Sequence, residues 1–239
     1  MKRAFVILAA GSALAAAVLP GTAGARDAQE CRGLQVCIPV AGPWVVVPQP
    51  RAGARMSSVQ YQLPCRKGSV VGGTDALVSD PWIDVSFLGS LGSPLGPGIT
   101  AHANAVFIGT YVGPLSRPST FRPYIGCVPA SGGGGRSTTA LPQLRPGQPL
   151  LRRARNIVVP AALPITASLT CGGGERLVGS GVALAFRSEN PPAVEAAADV
   201  RARKAELEGR VIVTASRGFA VPRSARVEVQ IQALCARRG

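Results

Sequence analysis

The sequence predicts an all-β protein, built as two tandem, similar β-sandwich-like modules, each closed by a disulfide, behind a cleaved signal peptide. Three observations lead there. Short valine- and alanine-rich runs, at residues 45–47, 211–215 and 227–231, are punctuated by glycine and proline, which number 29 and 21 in a chain of 239. The same order of strand, cysteine and glycine surrounds Cys65 and again Cys171. The chain also opens with two cations followed by an apolar run.

That opening accounts for residues 1–25. Lys2 and Arg3 precede an apolar stretch over 4–19, and Ala23, Gly24 and Ala25 offer the small residues a signal peptidase cuts after. The run falls short of the roughly 20 apolar residues of a bilayer span, so no transmembrane anchor is expected after cleavage. Losing Lys2 and Arg3 lowers the formal net charge from +14 to +12, so the basicity belongs to the exported chain.

All six cysteines survive cleavage, and an even number in an exported chain argues for disulfides. Cys31 and Cys37 sit in an N-terminal segment, 26–43, separated by five residues. A zinc site would want a second close pair, and none exists. With His102 the only histidine, a two-histidine metal centre is excluded as well.

The first module is expected over 44–129 and the second over 155–239. Ahead of Cys65 the apolar residues Val59, Tyr61 and Leu63 alternate; ahead of Cys171, Ile165, Ala167 and Leu169 do the same. Side chains of a strand alternate between faces, so each cysteine shares the buried face of its strand. Gly68 and Gly174 each follow three residues after the cysteine, and a second glycine cluster comes later, Gly72 and Gly73 against Gly179 and Gly181. Pro81 to Val85 is matched with Pro192 to Ala196, which makes Asp84 and Glu195 counterparts. The matched order predicts an internal duplication. Symmetry then pairs Cys65 with Cys127 and Cys171 with Cys235, leaving Cys31 with Cys37. Residues 130–154, with four consecutive glycines and three prolines, read as a Gly/Pro/Arg-rich linker.

Residues 193–208 resist a simple assignment. Asp199 and Arg203 have the spacing of a solvated helix face, whereas Val194, Ala196, Ala198, Val200 and Ala202 alternate strictly. The matching part of the first module, 89–98, is full of glycine and proline, and the reading adopted is a strand.

No set of residues reads as catalytic. His102 lies in an alternating stretch with its side chain opposite the inward alanines, as an exposed strand residue. Ser180 is flanked by Gly179 and Gly181 without the wider spacing of a nucleophile elbow, and the three residues fit a turn. Asp84 and Glu195 read as solvated residues, with a carboxylate pair across a pseudo-symmetric interface as the alternative. Asp75 and Asp80 flank a turn they can cap, with too few oxygens nearby for calcium. Gly172 to Gly174 lacks the lysine of a phosphate loop. No cofactor and no metal are expected.

The arginines carry the one binding expectation. Lysine occurs only at 2, 67 and 204, so arginine supplies nearly all of the 26 cations against 12 acids. Arg145, Arg152, Arg153 and Arg155 cluster near the linker's end, with Arg237 and Arg238 at the C-terminus, as candidate contacts to an anionic envelope polymer or other extracellular polyanion. Specific nucleic-acid recognition is not expected, because aromatics for stacking on bases make up 5% of the chain.

The cysteine–glycine turn, the prolines at 191 and 192 and the closing strand over 226–235 make the chain similar to uncharacterised secreted bacterial proteins that are β-rich and cysteine-containing. The similarity is strongest over 165–235. It implies an exported β protein and transfers no catalytic residue. The expected function is therefore a secreted, non-enzymatic protein with a surface-binding or structural role outside the cell or in its envelope. A secreted hydrolase using His102, or Asp84 with Glu195, is the alternative.

Overall fold

The computed structural model describes residues 28–34, 36–50, 54, 56–88, 103–113, 117–130 and 150–237. The signal segment, His102, most of the linker with Arg145, and Arg238 lie outside them, as does the side chain of Arg237. The fold is mostly β: three antiparallel sheets, one of them curled as a half-barrel, and three disulfides. Thirteen strands are formed among the described residues. In order they are β1 Ile38–Ala41, β2 Trp44–Val47, β3 Ser57–Pro64, β4 Ser69–Val78, β5 Ile83–Leu88, β6 Asn104–Tyr111 and β7 Ser119–Pro129 in the first half. The second half holds β8 Leu150–Val159, β9 Ile165–Thr170, β10 Glu175–Arg187, a short helix α1 Val194–Ala198, β11 Val200–Leu207, β12 Arg210–Arg217 and β13 Arg226–Arg237.

The alternation ahead of each half's first long-bridge cysteine behaves as its period requires. Val59, Tyr61, Leu63 and Cys65 are all buried, while Ile165, Ala167 and Leu169 are half-buried ahead of buried Cys171. The sulfurs join Cys31 to Cys37, Cys65 to Cys127 and Cys171 to Cys235, the pairs that the matched order predicts. Each cysteine strand then turns tightly, with Ser69 N donating to Arg66 O in one half and Glu175 N to Gly172 O in the other. Gly68 and Gly174 hold the left-handed position of these turns, at φ of 83° and 75°, which a side chain would strain.

Pairing follows one order in both halves. A small sheet runs β3-β6-β5 in the first and β9-β12-β11 in the second, while β4 pairs β7 as β10 pairs β13. Strands β1 and β2 lie end to end along β7 where unbroken β8 lies along β13. Both long pairs carry a register shift, between Val71 and Gly73 and between Leu177 and Gly179. The later glycine clusters thus sit at β-bulges within strands, and Gly179-Ser180-Gly181 is not a turn, because the ladder continues on both sides of it.

The halves are not separate bodies. Strand β2 pairs with β7 on one edge and β10 on the other, so a seven-stranded sheet runs through both halves. Residues 26–43 are not a detached segment either, since β1 adds to β7, and 150–154 belong to β8 rather than to a linker. Directly opposed residues of an antiparallel pair share a face. Val45 opposes both Phe121 and Ala185, and Ala185 opposes Glu228; Trp44 opposes Phe186, which opposes Val227. The two small sheets therefore cover opposite faces of the shared sheet. One core holds Val45, Tyr61, Phe107 and Phe121, the other Trp44, Phe186, Val213 and Val229.

Residues 193–208 divide between the two readings. The strand reading is corrected over 194–198, where α1 forms with Ala196 and Ala197 buried; β11 follows at Val200 and pairs with β12. Ala196 and Ala197 are buried side by side on one turn of this helix, where a strand would send them to opposite faces; the alternation of five apolar residues concealed it. Glu195 thus sits in the first turn of a helix while Asp84 is on β5, and the two are not counterparts. In the pairing order β5, which pairs β6, holds the place that β11, which pairs β12, holds in the second half.

Candidate functional site

The outer face of β13 carries Glu228, Gln230 and Gln232, spaced two apart as residues on one face of a strand. All three are buried, each within 2% exposure, because the first half's small sheet lies over them. Among the described residues β3 pairs with β6 along one edge only, and unpaired backbone on the other edge would cost free energy if buried. The glutamines close that edge. Gln62 N donates to Gln230 Oε1 at 2.7 Å, and Gln230 Nε2 donates back to Gln62 O at 2.9 Å. Gln232 Nε2 donates to Gln60 O at 2.7 Å and to Gln230 Oε1 at 2.8 Å. Side-chain amides thus stand in for a neighbouring strand.

The same network continues to a cation at each end. At one end Arg187 Nε donates to Glu228 Oε2 at 2.6 Å, and Tyr61 Oη donates to Glu228 Oε1 at 2.7 Å. Asn156 Nδ2 donates to Tyr61 Oη and Gln230 Nε2 to Asn156 Oδ1, linking the acid to the amides. At the other end Arg152 Nη1 donates to Gln232 Oε1 at 2.7 Å and to Gln60 Oε1 at 2.8 Å. Burial first, then the charge of Glu228 and the hydrogen bond to it, hold the Tyr61 hydroxyl far above its usual range, against the pull of Arg187 and Asn156. Burial alone would lower Arg187, but the hydrogen bond to Glu228 and its charge outweigh it and raise the guanidinium. Arg152 has no carboxylate partner among the described residues, and burial lowers it.

Beside Arg152 the surface opens into a cleft between the halves. Its polar arm, a cavity of about 480 Å³, is lined by Gln60, Arg152, Ser180, Lys204 and Gln232. Its more apolar arm, about 540 Å³, is lined by Val46, Leu184, Ala198 and Val200, with Arg201 and Arg203 beside them. Pro48, Val59 and Val182 border both. Each volume falls within the range of small-molecule sites, about 300–1,000 Å³. Lys204 at the rim pairs with Glu206 at 3.0 Å and donates to Ser180 O. The Ser180 hydroxyl donates to Glu206, a tie between β10 and β11.

The expected arginine cluster is dispersed by the strand period. Arg152 and Arg153 are adjacent on β8 and point to opposite faces: Arg152 joins the amide network, and Arg153 pairs with Glu175 at 3.1 Å. Arg155 is exposed on the side of Arg153. Asp80 caps its turn, accepting from Trp82 N at 2.9 Å and pairing with Arg117 at 2.9 Å, while Asp75 accepts from Gln29 N. Cys171, Glu175 and Cys235 lie close together, but both cysteines are committed to a disulfide and supply no thiolate. Sequence reasoning passed over Tyr61, Asn156, Glu228, Gln230 and Gln232 as binding or bridging residues. The strict polar spacing in Val-Glu-Val-Gln-Ile-Gln was the available signal, and it reads equally as a wet face. No protein-family model, curated protein or solved structure matches this chain.

Proposed function

We propose that this chain is an exported, non-enzymatic binding protein that attaches to anionic polymer of the cell envelope or to another extracellular polyanion. The observation that carries the reading is the placement of cations on the second half: Arg155, Arg176, Arg201, Arg203, Arg210 and Arg226 are exposed on five strands of two sheets. Rigid strands hold such charges at fixed spacing, which suits a repeating anion better than a single one. Three disulfides fit an oxidising compartment, and no helix among the described residues is long and apolar enough to cross a membrane. The apolar, basic-tipped N-terminus supplies the export route.

On this reading the halves descend from one ancestral module copied in tandem. The shared pairing order, the matched bulges and the bridges closing 62 and 64 residues support that origin.

Retention of the disulfide-intact protein on isolated envelope and on polyphosphate tests the reading. Rising salt should release it from both, and the double variant R201Q/R203Q should elute at lower salt. Indifference to both matrices overturns the attachment. Turnover of an ester, peptide or glycan substrate that vanishes in H102A or D84N would establish the hydrolase instead.

A further inference from the structure

We infer that the cleft between the halves binds a single-chain fatty acid, with its carboxylate on Arg152 and its hydrocarbon chain along Val46, Val59, Val182, Leu184 and Val200. Arg201 and Arg203, two of the arginines proposed to hold polymer, border the same cleft; the lipid site is distinguished from the polymer site by Arg152, which is not one of those arginines.

The head position follows from donor accounting. A guanidinium has five N–H donors. In Arg152 the two on Nη1 go to Gln60 Oε1 and Gln232 Oε1, both neutral acceptors. The donors on Nε and Nη2 have no partner among the described residues, and together they form the edge that matches a carboxylate with two parallel bonds. A half-buried cation held by two amides and lacking a counter-ion is complementary to an anion entering from the cleft it lines.

The tail position follows from the shape beyond that head. Pro48, Val59 and Val182 border both arms, so the polar end leads directly into the apolar one. A headgroup alone would leave the half-buried Val182 and Leu184 in contact with water, and a plain hydrocarbon would leave Arg152 without its counter-ion. One ligand with both parts satisfies both. Helix α1 lines the remote arm, where Ala197 and Ala198 supply small side chains.

The test titrates the disulfide-intact full chain with dodecanoate, decanoate and dodecanol, each below its micelle concentration, by calorimetry. Dodecanoate should bind best, and decanoate about tenfold more weakly for its two missing methylenes. R152Q, which keeps an amide donor for the glutamines, should weaken dodecanoate by about tenfold or more and leave dodecanol unchanged. R152K, retaining the charge, should recover part of the loss. A198W, at an exposed position, should block both ligands without altering the melting temperature. Equal affinity for dodecanoate and dodecanol, or no effect of R152Q on dodecanoate, overturns the headgroup assignment. Absence of binding by all three overturns the site, whatever the polymer matrices show. Retention on those matrices should persist in R152Q; its loss there would make Arg152 part of the polymer site and overturn the headgroup assignment.

Discussion

Strands β7 and β13 hold the same place in the two halves, each paired on both edges within the shared sheet and each carrying the second cysteine of a long bridge, yet their polar faces meet different fates. On β7 the pair Arg122 and Tyr124 stays half-buried, with the guanidinium 5.4 Å from the ring centroid. Its other bonds go to backbone oxygens, Gly42 O and Glu189 O, at 3.0 Å. On β13 Glu228, Gln230 and Gln232 are wholly buried and serve as the partner of another strand's backbone. Polar spacing along a strand therefore identifies a shared face without revealing what that face meets. An amide face satisfies a strand edge because it offers both a donor and an acceptor, which a guanidinium does not.

The largest expected effect tests where the two strands are alike. Replacing Cys65 and Cys127 by alanine, or Cys171 and Cys235, should each cost about 4 kcal/mol on the chain-entropy model. The loops of 62 and 64 residues predict nearly equal losses in urea unfolding. A single transition for both variants is expected, because the halves share one sheet; two separated transitions would break that view.

The next effects test where they differ. E228A strands Arg187 and the Tyr61 hydroxyl and should cost about 3 kcal/mol, whereas R122A on β7 should cost under about 1 kcal/mol. Q230L leaves Gln62 N–H, Gln62 C=O and Asn156 Oδ1 without their Gln230 partners, for a loss of about 2 kcal/mol by the same unfolding measurement. Equal losses in E228A and R122A would erase the distinction between the two faces.

A smaller, pH-dependent effect sharpens the comparison further. Tyr61 is raised from an ordinary value of 10.0 in the folded chain, so its contribution is complete below about pH 10, where both states keep the proton. Above that the unfolded chain ionises first, and stability falls as pH rises. Y61F should flatten this alkaline slope while lowering stability at neutral pH; an unchanged slope would place the titration elsewhere.

Much of the architecture was legible because it depends on short-range pattern. Val59, Tyr61 and Leu63 alternate toward Cys65, and a glycine three residues later marks a turn that needs positive φ. Glycines 72, 73, 179 and 181 were visible as punctuation, but a bulge and a turn both favour glycine, and only the continuing ladder separates them. Helix α1 was hidden because its three consecutive alanines, 196–198, fit either period. The basic cluster at 152–155 was legible as composition and lost as geometry, since adjacent strand residues point apart.

From the chain alone come the β class, the strands leading to Cys65 and Cys171, the turns at Gly68 and Gly174, and the disulfide pairs inferred from the repeated order. Tertiary structure decided that β2 joins the halves into one sheet, that the small sheets cover its opposite faces, and that Glu228, Gln230 and Gln232 are interior. The reason is distance along the chain: Tyr61, Gln62 and Gln60 meet those side chains across 167, 168 and 172 residues. A period of two records which residues look the same way, while the free energy of burying them depends on donors and acceptors that only folding brings opposite.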